Sequence, residues 1–173
     1  MNYKYFFSKV KRKFLDKDAI IKYYRSTGMS IGSNCKIYSN INTNENYLIK
    51  IGNNVTISTG VKLVTHDNSV IKLSSNGTDV FGKISIGNNS FIGLNSIIMY
   101  GVTLHPNTIV AAGAVVTKST TAEGQILGGN PAKVIGTSEN FFLKVQKKIV
   151  DISKMDAIEK KKVLEDENML IKR

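Results

Sequence analysis

A repeat of six residues constrains this chain more than any other feature. Between Ile86 and Thr121 the sequence divides into IGNNSF, IGLNSI, IMYGVT, LHPNTI, VAAGAV and VTKSTT. An aliphatic residue opens every unit: Ile86, Ile92, Ile98, Leu104, Val110 and Val116. Four positions later a small or β-branched residue recurs, at Ser90, Ser96, Val102, Thr108, Ala114 and Thr120. A period of six matches neither an amphipathic helix nor an alternating strand. It matches a solenoid in which each unit is one short strand and a corner. Parallel strands stacked about 4.8 Å apart put each opener above its equivalent in the next coil.

The same register appears earlier. IGSNCK and IYSNIN start at Ile31, and after an irregular TNENYLIK the pattern resumes as IGNNVT, ISTGVK and LVTHDN. Three such units make one triangular coil. The period then breaks over residues 69–83, SVIKLSSNGTDVFGK, which has no opener in register and contains the turn dipeptide Asn76-Gly77. This predicts a loop projecting from the solenoid, of a length that usually carries function.

The flanks read as helix. Phe6, Phe7, Val10, Phe14 and Leu15 recur at helical spacing within Tyr3 to about Ser26, and Thr27-Gly28 stops the pattern. Beyond GNPAKVIG, Ser138 is the expected N-cap of a helix with Phe141, Phe142, Val145 and Ile149 as its apolar stripe. A second helix is expected over Met155–Leu170. The predicted organisation is a helical cap over 1–28, a repeat domain over 29–136 with loop 69–83, and a helical segment over 137–173.

Net charge is +11, with lysines concentrated in the two flanks. The basic residues are not interleaved with aromatics on one surface pattern, and no nucleic-acid-binding motif occurs, which disfavours nucleic acid as a partner. No apolar run approaches the roughly 20 residues of a membrane span. The N-terminus has no apolar core of a signal peptide, which predicts a cytoplasmic protein. Its basic helix leaves contact with the inner face of a membrane open. One cysteine, Cys35, excludes an intrachain disulfide framework.

The repeat, with AAGAVVTK and GGNPAKVIG in that order and a lone THD after LVTHDN's opener, resembles the hexapeptide-repeat acyltransferases. Within them it is most similar to the sugar and surface-polysaccharide O-acetyltransferases. The resemblance spans about Ile31 to Gly136. It implies a mainly β fold, a left-handed parallel β-helix with N-terminal and C-terminal helices. It also implies acetyl-CoA as donor, a sugar hydroxyl as acceptor, and a homotrimer with each site between neighbouring solenoids. Ile97, Met99 and Tyr100 are the side-facing groups compatible with that interface.

Acyl transfer to an alcohol needs a base, and an imidazole with a pKa of about 6.5 suits the task. The resemblance assigns that role to His66. It assigns the coenzyme groove to Gly93, Leu94, Ala112 and Gly113, where small residues expose backbone, with the Leu94 amide as candidate oxyanion donor. Thr117, Lys118 and Lys133 match positions contacting the phosphate and adenosine end of the coenzyme. Asp67 and Asn95 are acceptor-side candidates, although both also suit a turn. His105 reads as structural. With His66 and His105 the only histidines, a three-histidine zinc site cannot be built, so no metal is expected. Alternatives are an N-acetyltransferase acting on an amino-sugar nucleotide, a xenobiotic acetyltransferase, and a solenoid without catalysis.

Overall fold

A computed structural model describes residues 17–171, so the expected helix over Tyr3–Asp16 lies outside the described residues. Short parallel strands form three faces of a triangular prism. The first face holds β1 (Ser30–Ile31), β3 (Ile49–Ile51), β8 (Ile84–Ile86) and β11 (Thr103–Leu104). The second holds β2 (Lys36–Ile37), β4 (Thr56–Ile57), β9 (Phe91–Ile92), β12 (Ile109–Val110) and β14 (Gln125–Gly129). The third holds β5 (Lys62–Leu63), β10 (Ile97–Ile98) and β13 (Val115–Val116). The architecture is a parallel β-helix.

Register follows the openers. Ile31, Ile51, Ile86 and Leu104 are aligned on the first face. Ile37, Ile57, Ile92, Val110 and Leu127 are aligned on the second. Leu63, Ile98 and Val116 are aligned on the third. All of them point into one core and none is more than 9% exposed. Burial of each such side chain stabilises the fold by roughly 1.5–3 kcal/mol. The small residues that recur four positions after the openers are buried as well, Ser96, Thr108 and Ala114 completely. They turn inward at the corners, where the space between faces is narrow.

The fourth residue of a unit makes the corner. Asn34, Asn54, Asn89, Asn95 and Asn107 adopt positive φ there, as do Gly60, Gly101 and Gly113. Asn and Gly are the residues that enter this left-handed region at least cost. The second residue has a different reason. A Cβ on Gly93 would lie 2.5 Å from the Val110 carbonyl oxygen and 2.7 Å from the Ala112 nitrogen. Coil stacking therefore demands glycine at position 93.

The first coil is covered by α1 (Lys17–Ser26), which buries Ile21 and Tyr24 in the core. Tyr24 Oη accepts from the Ile41 amide at 2.8 Å, and the Arg25 guanidinium donates to the Ile31 and Gly32 carbonyls. At the other end β15 (Ala132–Thr137) pairs antiparallel with β14. The N-cap of α2 (Ser138–Val145) is Thr137 rather than Ser138, because the Thr137 hydroxyl accepts from the Asn140 amide. The second C-terminal helix is shorter than expected. It is α3 (Ala157–Leu164), started by a reciprocal capping box between Asp156 and Glu159. Among the described residues no helix is long and apolar enough to cross a membrane.

The period breaks where expected. Successive equivalents such as Ile92 and Val110 are eighteen residues apart, whereas Ile57 and Ile92 are thirty-five apart. The extra residues leave the corner after β5 and return at β8. They are held at their base by an antiparallel pair, β6 (His66–Asp67) and β7 (Val80–Phe81).

Candidate active site

His66 occupies the fourth position of its unit, where other units place a left-handed Asn or Gly. Here the chain runs on as β6 instead, which carries the imidazole outward at the prism edge between the third and first faces. Its Nδ1 lies 3.0 Å from Glu45 Oε2. A carboxylate only accepts, so Nδ1–H is the donor and the Nε2 lone pair is left for chemistry. Glu45 is 13% exposed at its side chain, and the same oxygen accepts from Thr43 Oγ1 at 2.9 Å and Thr65 Oγ1 at 2.8 Å. Burial is the largest single influence on this carboxyl and pushes its pKa up. The hydrogen bonds from Thr65, Thr43 and His66, with the His66 charge, outweigh burial and hold the pKa below the ordinary glutamate range.

Asp67 is engaged elsewhere. Its Oδ1 accepts from the Ser69 amide at 2.9 Å. The Ser69 amide, then the Ser69 hydroxyl, with a smaller contribution from Tyr100, hold its carboxyl below the usual range against desolvation. Asp67 thus fastens the base of the loop, and Glu45 orients the histidine. A pocket of about 250 Å³ adjoins the imidazole, lined by Asn40, Asn42, Thr43, Lys62 and Thr65 together with the apolar Val61, Leu63 and Val64.

A larger groove of about 910 Å³ lies against the second face and the β15–α2 arm. Its lining is mostly apolar, including Phe91, Leu94, Ile109, Ala112, Ile135 and Phe141, with Lys144 as the cation. Gly93 also lines it.

The hexapeptide repeat of succinyl-transferase matches residues 83–118. Protein CapG of Staphylococcus aureus is 41% identical over 160 residues, covering 90% of this chain and 90% of CapG. The chain belongs to the hexapeptide-repeat acyltransferase family. Galactoside O-acetyltransferase of Escherichia coli K12 is 35% identical over 115 residues, 65% of this chain. The match takes in 56% of that enzyme, so the chain spans little more than half of its length. Among solved structures, a maltose O-acetyltransferase from Clostridium difficile 630 has a TM-score of 0.55 at 27% identity, covering 66% of this chain and 72% of that one. Galactoside acetyltransferase in complex with coenzyme A has a TM-score of 0.52 at 25% identity, covering 66% and 67%.

In this acyltransferase chain the residues predicted from sequence divide between two edges of the prism. Gly93, Leu94, Asn95, Ala112 and Gly113 share the edge between the second and third faces, where the Gly113 amide donates to the Leu94 carbonyl at 2.8 Å. His66, Asp67, Thr117 and Lys118 follow the third face and share the next edge. Lys133 is exposed on β15. Gly113, Thr117, Lys118 and Lys133 do not line the apolar groove. Asn95 sits at a left-handed corner with φ 56°, which accounts for its identity without any ligand. His105 Nδ1 contacts Thr120 Oγ1 at 2.9 Å and ties two coils together.

Sequence reasoning did not single out Glu45, Phe81 or Lys144. The one available signal for Glu45 was the break in the period at TNENYLIK: irregular backbone in a solenoid is where a side chain is freed from core duty. Its pairing with a residue 21 positions away had no sequence signal.

Proposed function

We propose that this chain is an acetyl-CoA-dependent O-acetyltransferase whose acceptor is a sugar hydroxyl of a surface polysaccharide or its precursor. The observation that carries the reading is the His66–Glu45 pair, a half-exposed imidazole with its Nδ1 anchored to a nearly buried carboxylate. Relatives named as galactoside and maltose O-acetyltransferases agree with that chemistry. So does a related enzyme seen with coenzyme A.

Acetyl-CoA supplies an acyl group activated as a thioester. The apolar groove fits its slender arm, because Gly93, Ala111, Ala112 and Gly136 keep the walls low and Lys144 offers a cation for phosphate. Among the described residues no hydrogen bond uses the Leu94 amide, which leaves it as donor toward the thioester carbonyl oxygen. Gly113 shapes the corner beside Leu94, and Thr117, Lys118 and Lys133 are the remaining candidates for the polar end of the coenzyme. His66 Nε2 takes the proton of the acceptor hydroxyl, and Glu45 stabilises the imidazolium so formed. The acceptor approaches through the pocket lined by His66, with Asp67 next in the chain and Asn95 supplied from the facing edge.

The division of these residues between two edges argues for a homotrimer, in which the His66 edge of one subunit meets the Gly93–Ala112 edge of the next. The coil is read as left-handed, with residues 1–28 as its cap, 29–136 as the catalytic solenoid and 137–173 as a helical segment. We read the protein as cytoplasmic, acting at or near the inner face of the membrane. The test is CoA release with acetyl-CoA and a panel of pyranosides. Turnover that depends on both substrates is expected. Turnover unchanged in His66→Ala would overturn the mechanism.

A further inference from the structure

We propose that Phe81 is the platform on which the acceptor's sugar ring rests, and therefore that the acceptor is a cyclic glycoside and not an acyclic polyol. The proposal rests on the reading of His66 as the base and adds a specificity-determining residue to it. Phe81 and His66 are direct partners in the β6–β7 pair. Residues opposed in such a pair project from the same side of the ladder. Their rings are 5.7 Å apart with planes inclined at 47°. Phe81 is nevertheless 57% exposed, so most of an aromatic ring is left open beside the base.

That exposure is not needed for the fold. Val80 and Phe81 contribute nothing to the buried core, and the loop base is already fastened by Asp67 to Ser69. An open aromatic ring beside the imidazole suits a ligand with polarised C–H groups on one side and hydroxyls on its rim. A pyranose has that shape: its axial C–H bonds form a patch that meets the electron-rich face of an aromatic ring. The pocket lined by His66 also presents Asn40, Asn42 and Lys62, which can receive the hydroxyl rim. An open-chain alditol carries the same hydroxyls but no fixed apolar face, so Phe81 discriminates between the two.

The test is steady-state kinetics on the full chain, following CoA release with acetyl-CoA and either methyl and nitrophenyl pyranosides or ribitol. Wild type is expected to use pyranosides in preference to ribitol. Phe81→Ala is expected to raise the KM for the pyranoside about tenfold, with kcat and the KM for acetyl-CoA within about twofold, and Phe81→Trp to stay near wild type. An unchanged acceptor KM in Phe81→Ala overturns the proposal. So does a displaced acid limb of the pH profile at constant KM, since Phe81 would then act only on the imidazole. Preference for ribitol with His66 still essential overturns the platform and leaves the base intact. No CoA release with any acceptor overturns both readings.

Discussion

Two regions of this solenoid obey the same register and do opposite work. In residues 86–121 every aliphatic opener is buried, and the corners at Asn89, Asn95, Gly101, Asn107 and Gly113 all turn through positive φ. In the region built from 38–48 and 64–83 the period lapses twice. One lapse delivers Glu45, and the other replaces a corner Asn or Gly by His66. In the regular coils the openers fill the core and the fourth residues make the turns. The comparison teaches that the His66–Glu45 pair forms where the repeat fails.

The first way to break the comparison is to damage the regular part. Ile92→Ala removes a fully buried opener flanked by Ile57 and Val110, and should cost about 2–5 kcal/mol in urea unfolding. A loss under about 1 kcal/mol would mean that the stack is not the source of stability. The complementary variant is His66→Ala, for which kcat should fall at least about 10²-fold while the melting temperature stays near wild type. A large drop in both would erase the distinction between the two regions.

Glu45→Gln tests whether the irregular coil acts through the imidazole. The amide keeps the shape but not the charge, and kcat should fall about tenfold or more with little change in the KM for acetyl-CoA. A pH series sharpens this. The folded-state pKa of Glu45 is held below its ordinary range. Its ionised form therefore contributes stability that is present above the unfolded-state pKa and is lost as pH falls through the folded one. The stability gap between wild type and Glu45→Gln should close on acidification. A gap that is constant with pH would show that the carboxylate is not favoured by its hydrogen bonds. The smallest effect is expected at the corners: Asn107→Gly, at φ 60°, should change stability by only a few tenths of a kcal/mol, whereas Asn107→Val should cost about 1–2 kcal/mol.

The solenoid was legible because its signal is repeated. Each opener is weak information alone, but aligned units from Ile31 to Val116 fix strand positions, core and loop together. The base is assigned to His66 by the family resemblance, and the structure shows this residue at the point where the period stops. What the sequence concealed depends on contacts between separate lapses. Glu45 sits in a stretch without periodicity, and its reach to His66 is set by how two irregular corners stack. The ends of the C-terminal helices were shifted because capping is decided by single hydroxyl and carboxylate bonds at Thr137 and Asp156. Gly93 was read as an opening for a ligand, whereas its missing side chain is first required by the carbonyl of the coil beyond it.

Strand alignment resumes across the excursion without a slip, since Leu63 still lies opposite Ile98 and Ile57 opposite Ile92. A prism of this kind is indifferent to how much polypeptide bulges from a vertex, provided that both ends return to the same rung. Loops of different length can therefore be grafted or lost between Asp67 and Val80, while the wall behind them goes on folding as before.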